Sequence, residues 1–202
     1  MDIKKLLSIK PSQPQIAMFE LVSLNQFIKD LNKTIDSGEM SEAYIESEDH
    51  LYYTFADGQD RDLFLSECIR TLPVRATTGS AGYDFFSPFS FNLKPGQSIT
   101  IPTGIRCAMH PNWVLAISPK SGKGTQYRVM MRNTIGWVDS DYYHADNEGH
   151  IILKIINDNY DNMSLHIDTG TSIMQGIFLP YGITINDDVT ATRTGGFGST
   201  VK

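Results

Sequence analysis

Hydrophobic and polar positions change rhythm along this chain. Residues 16–22 form a short apolar run that predicts a first strand. Leu24, Phe27, Ile28, Leu31 and Ile35 then recur every three or four residues, which is the spacing of one helical face. Ser23, followed three residues on by Gln26, makes a capping-box signature for the start of that helix, and Gly38 suits its stop. Residues 41–59 are acidic and aromatic and predict no element, while 63–69 suit a short helix. From residue 72 the period shortens. Apolar stretches at 98–101, 105–109, 113–118, 151–156, 164–167 and 173–180 alternate with turn signals such as Pro95-Gly96, Pro102-Thr103-Gly104 and Thr169-Gly170. Many short strands between turns predict an all-β sandwich or barrel interrupted by a helical segment.

Composition changes this picture in two ways. The net charge of −6 sits almost wholly in residues 24–70, where eleven acids face four bases. Such a segment repels a nucleic-acid polymer, while the near-neutral remainder can still hold a small anion with a few placed cations. No apolar run approaches the roughly 18 residues of a membrane span. No h-region of a signal peptide precedes Pro11. The two cysteines, Cys68 and Cys107, suit a reducing compartment, so the expectation is a cytoplasmic protein without a membrane partner. Residues 1–15 are expected to be a loose arm and 16–202 one domain interrupted by 24–70.

Five patches carry candidate chemistry. Small residues from Ala76 through Gly79-Ser80-Ala81-Gly82-Tyr83-Asp84 allow close backbone approach, though taken alone the run reads as a turn. Pro119-Lys120-Ser121-Gly122-Lys123-Gly124 offers backbone N–H groups, a hydroxyl and lysines to an anion, but lacks P-loop spacing, so a tight turn stays open. In Asn133-Thr134-Ile135-Gly136-Trp137-Val138-Asp139-Ser140-Asp141-Tyr142 a strand would put Asp139 and Asp141 on one face; a solvated rim is the alternative. Gln175 is a polar residue within the apolar run 172–178, and either bonds backbone or faces a site. Arg193, Phe197, Gly198, Ser199 and Thr200 lie in a glycine-rich tail able to fold over a ligand with a ring and phosphates. His144, Asp146, Glu148 and His150 lack zinc or EF-hand spacing and suit a polar loop.

In this order the five patches resemble the five motifs of the all-β, homotrimeric dUTPase family, over roughly residues 72–200. The resemblance implies a jelly-roll β-barrel with a helical insertion, in a homotrimer that exchanges C-terminal tails. It implies hydrolysis of dUTP to dUMP and pyrophosphate with Mg²⁺. Asp139 would activate the attacking water, with Gln175 and Ser121 placing the reacting groups. Lys120 and Gly122 would hold phosphates; Asn133, Gly136 and Val138 would read uracil; Tyr142 would lie against the deoxyribose. Arg193, Ser199 and Thr200 would close on the γ-phosphate with Gly198, while Phe197 stacks on the base. Asp84 would act on the metal through water. Patches one, two and four would come from one chain, the third from a second and the tail from a third.

Lys120 stands where arginine is usual, Arg193 sits one residue nearer Phe197 than in much of the family, and five extra residues lengthen the loop after Tyr142. Residues 24–70 have no counterpart in compact members, and the expectation is a peripheral acidic insertion on the trimer surface, of unknown partner. Two other classes remain: a non-catalytic or regulatory nucleotide-binding module on the same scaffold, and a dCTP deaminase. The latter wants a glutamate where 151–156 offers only Lys154.

Overall fold

The computed structural model describes residues 14–38, 58–193 and 195. The strands, in chain order, are β1 Ala17–Leu21, β2 Val74–Arg75, β3 Tyr83–Phe86, β4 Phe91–Leu93, β5 Ser98–Pro102 and β6 Ile105–Met109. They continue as β7 Trp113–Pro119, β8 Val129–Met131, β9 Gly136–Val138, β10 Ile152–Asn157, β11 Leu165–Ile167 and β12 Ser172–Pro180. Three α-helices, α1 Leu24–Asp36, α2 Gly58–Glu67 and α3 Ser121–Tyr127, and a 3-10 helix at Ser140–His144 complete the described elements.

The strands form four antiparallel groups, β1-β6, β5-β10-β8, β11-β4 and β2-β3-β12-β7-β9. They pack around one core, as a jelly roll does, and among the described residues the ladders do not close into a continuous barrel. Period-two burial drives this. In β10, Leu153, Ile155 and Asn157 point inward, while Ile152, Lys154 and Ile156 are half-buried on the other face. Asn157 is tolerated inside because its Nδ2 donates to the carbonyls of Leu93 and Met163, at 2.9 and 3.0 Å. No described helix is long and apolar enough to cross a membrane.

The helical segment departs from expectation. Helix α1 forms where the apolar stripe predicts it, but Phe27, Leu31 and Ile35 are buried in the same core as the strands. Burying such side chains stabilises by about 1.5–3 kcal/mol each as an upper estimate. Helix α2, beginning earlier than the expected 63–69, adds Phe64, whose ring packs 5.2 Å from Phe89. Arg61 ties α2 to Asp36 of α1 at 2.8 Å, and Arg70 donates to the Val22 carbonyl. The described part of 24–70 is therefore core structure and not a surface appendage, because its apolar face has nowhere else to go.

The N-terminus of α1 is held from across the sequence. Ser23 Oγ accepts the Gln26 N–H at 3.1 Å, as the capping signature predicts. The return half of the box is replaced: the Ser23 N–H and hydroxyl both donate to the Glu148 carboxylate, at 2.8 and 2.7 Å. Those two bonds draw the Glu148 carboxyl below its ordinary pKa. Glu148 belongs to the lengthened loop after Tyr142, so the chain's two additions meet each other. Gly149 closes that loop at φ +70°, with Tyr142 O and Tyr143 Cα under 3 Å from where a Cβ would stand.

Candidate active site

The acidic stretch follows a tight turn that carries the chain from one sheet to another. Strands β8 and β9 are joined through Asn133 and a left-handed Thr134 (φ 70°), with Thr134 N–H donating to Met131 O at 2.9 Å. Strand β9 pairs with β7, setting Gly136 opposite Ile117 and Val138 opposite Leu115. The strand stops there. Asp139 is extended, and Ser140–His144 turns into the 3-10 helix, so Asp139 and Asp141 are not alternate residues of one strand as the pattern predicts.

The two carboxylates still converge, on one cation. Arg193 Nη2 lies 2.8 Å from Asp139 and Nε 3.0 Å from Asp141, and its guanidinium sits 5.5 Å from the Tyr142 ring centre. Asp141 thus has a partner in its own chain. With both acid side chains more than half exposed, each pair contributes only about 0–1 kcal/mol and exchanges readily. Tyr142 is buried; its hydroxyl donates to His150 O at 2.9 Å, and burial pushes the phenol above its usual pKa, so it remains a donor.

A second cluster gathers the first, second and fourth patches. Lys120 Nζ contacts Asp84 Oδ2 at 2.7 Å. Asp84 on β3 is directly opposite Gln175 on β12, and Gln175 Nε2 donates to Pro119 O at 3.3 Å. Gln175 therefore both bonds backbone and lines the cluster. Gly82 allows this: a Cβ there would stand 2.6 Å from Gln175 Oε1. Past Lys120 the chain enters α3, so Ser121 and Gly122 begin a short helix where a loop or tight turn is expected.

The two clusters lie at opposite ends of β7. Lys120 follows its last residue, whereas Asp139 falls beyond Leu115 toward its start. Six residue steps of roughly 3.3 Å put these backbone positions about 20 Å apart. Beside this turn and β9 opens a cleft of about 720 Å³. Asn133, Gly136 and Val138 form one wall and Lys33, Thr34 and Ser37 of α1 another; Asp139, Lys120 and Gln175 do not line it. Phe197, Gly198, Ser199 and Thr200 lie outside the described residues; Arg193 lies beside Asp139 of the same chain.

Among the described residues no three His, Cys, Asp or Glu side chains gather into a metal site. Glu148 is spent on Ser23, and His150 on α1. Asp84 is paired with Lys120.

Sequence reasoning missed Asp30 and His150, which meet at 2.6 Å in the interior. The signal was present: Gln26, Asp30 and Thr34 recur every four residues along the edge of an apolar stripe, and all three are buried.

A mostly β scaffold that gathers Lys120, Asp84 and Gln175 suits a protein that handles a small anionic ligand such as a nucleotide. The sequence profile of the dUTPase family matches residues 70–201. The deoxyuridine 5'-triphosphate nucleotidohydrolase of Lactococcus lactis is 34% identical over 132 residues, spanning 64% of this chain and 87% of that protein. The Haemophilus influenzae enzyme of the same name is 33% identical over 139 residues, spanning 65% and 87%. Among solved structures, the dUTPase from Streptococcus mutans superposes with a TM-score of 0.51 at 29% identity, covering 58% of this chain and 96% of that one. The Staphylococcus bacteriophage 80alpha dUTPase shares the fold, with a TM-score of 0.50 at 22% identity, covering 66% and 93%. This chain belongs to the dUTPase family and is a hydrolase.

Proposed function

We propose that the chain hydrolyses dUTP to dUMP and pyrophosphate in a Mg²⁺-dependent site built from more than one copy. The observation carrying this reading is the separation of about 20 Å between Asp139 and Lys120, too far for one nucleotide's α-phosphorus to touch both within one chain. A neighbouring copy brings its Lys120–Asp84–Gln175 cluster up to the turn and β9, and closed threefold symmetry makes three equal sites. Exchange of tails preserves the contacts seen in one chain: Arg193 of one copy on Asp139 and Asp141 of another. Such weak, exposed pairs let Arg193 shift toward the γ-phosphate, with Ser199, Thr200 and Gly198 beside it and Phe197 on uracil.

Asp139 accepts the proton of the attacking water and aims it in line at the α-phosphorus. Ser121, Gly122, Lys120 and Gln175 hold the phosphate chain. A Mg²⁺ ion arriving with the substrate would supply positive charge to stabilise the leaving pyrophosphate. Asp84 orients Lys120 through their ion pair and would be the carboxylate available to the metal through water. Asn133 with the backbone of Gly136 and Val138 pairs with the uracil edge, and the closeness of this stretch rejects a thymine methyl. Tyr142 leaves no room for a ribose 2′-hydroxyl. The unlinked cysteines Cys68 and Cys107 fit a cytoplasmic setting.

Pyrophosphate release from dUTP, UTP, dCTP and dTTP tests the proposal. Rapid release from dUTP alone supports it, whereas ammonia from dCTP or no turnover of dUTP refutes it.

A further inference from the structure

The segment preceding the family match contributes a residue that reaches toward the sugar-reading side chain. Asp30 of α1 is buried, and its Oδ2 accepts from Gln26 Nε2 at 2.8 Å and from His150 Nδ1 at 2.6 Å. The His150 tautomer follows from its partners. Nε2 accepts the Gly104 backbone N–H at 2.7 Å, so the ring proton is on Nδ1 and points at Asp30. His150 is fully buried, with Phe27 of the same helix 6.2 Å from its ring. The ring is held by bonds on two sides.

What His150 does with its backbone gives this arrangement a consequence. Its carbonyl accepts the Tyr142 hydroxyl at 2.9 Å, and Asn147 Nδ2 donates to that hydroxyl at 2.9 Å and to the same carbonyl at 3.2 Å. The Tyr142 ring is therefore anchored at its far end, against a peptide whose side chain is pinned by α1. A wall that excludes a single hydroxyl by shape works only if it cannot recede, because an ångström of give admits the extra atom.

We propose that Asp30 is a positioning residue for Tyr142, so that discrimination between deoxyribose and ribose triphosphates depends on the inserted helix. The inference rests on Tyr142 being the sugar neighbour, and the experiment separates the two ideas. The measured quantity is the ratio of kcat/KM for dUTP to that for UTP.

In Asp30→Ala the ratio falls about tenfold or more as His150 and Tyr142 loosen. In Asp30→Asn, where an amide oxygen still accepts from both donors, it stays within about twofold of the parent. Leu31→Ala, one residue along and also interior, keeps the Asp30 carboxylate and its bonds to Gln26 and His150 and leaves the ratio intact. Tyr142→Phe removes only the anchored hydroxyl and lowers the ratio like Asp30→Ala. It tests the anchor even if Asp30→Ala does not fold.

A normal ratio in Asp30→Ala, an equal fall in Leu31→Ala, or a normal ratio in Tyr142→Phe overturns the proposal. If Tyr142→Leu also keeps the parental ratio, then Tyr142 does not read the sugar and the reading beneath the proposal falls as well.

Discussion

Helix α1 supplies two leucines in contrasting surroundings, which makes a sharp test of where the inserted segment belongs. Leu31 is 0% exposed within the core, and Leu24, seven residues earlier, is 56% exposed. Replacing Leu31 with alanine removes three buried carbons and leaves a cavity among strands that cannot collapse freely. The expected loss is about 3 kcal/mol, within the range of roughly 2–5 for buried leucines. Leu24→Ala has the same chemistry at an exposed position and the same favourable change in helix propensity, so it should shift stability by about 0.5 kcal/mol or less. Urea unfolding of the purified protein, followed by circular dichroism at matched protein concentration, reads both midpoints. If Leu31→Ala unfolds at the same urea concentration as Leu24→Ala, the segment is not part of the core, and the peripheral expectation is restored.

Three further outcomes follow from the site and the loops. Asp139→Asn keeps shape but cannot take a proton, so turnover of dUTP should fall about 10²–10⁴-fold while equilibrium dialysis still shows nucleotide bound. Gly82→Ala pushes a methyl into Gln175 Oε1; because that is the end of a flexible side chain, stability should change by less than about 1 kcal/mol while turnover drops roughly tenfold. Acid should weaken the helix anchor. Glu148 lies below the ordinary carboxylate range because Ser23 donates twice to it; burial pushes Asp30 up, but hydrogen bonds from His150 and Gln26 outweigh that and leave it lowered. Both carboxyls bind protons more readily unfolded than folded. Their contribution is thus complete above the unfolded values, about pH 4 to 4.5, and is lost as pH falls through the folded ones. Urea midpoints measured downward from about pH 6 should decline less steeply in Glu148→Gln than in the parent.

Local signals made much of this legible. Ser23 and the stripe through Phe27, Leu31 and Ile35 mark α1, and turn residues bracket β5, β6 and β7, because caps and periodicity are written in neighbouring residues. What escaped depends on distant partners. That α1 is core follows from the surface it meets on the strands, which no spacing within 24–36 reveals. Glu148 completes the cap of α1 from 125 residues away, and Asp30 finds His150 across 120. The acidic stretch was found as chemistry but not as geometry: β9 ends at Val138 because Asp139 starts a 3-10 turn, and the carboxylates meet through Arg193 and not through strand alternation.

The claim that each site joins Asp139 of one copy to Lys120 of another is tested by complementation. Asp139→Asn and Lys120→Ala chains are prepared separately and then co-assembled from differently tagged copies, and pyrophosphate release from dUTP is measured. Each variant alone should be nearly inactive. Random mixing should restore about one quarter of the sites, those pairing an intact Asp139 with an intact Lys120. Mixed oligomers as inactive as their parents, beside an active parental enzyme, would contradict the shared site.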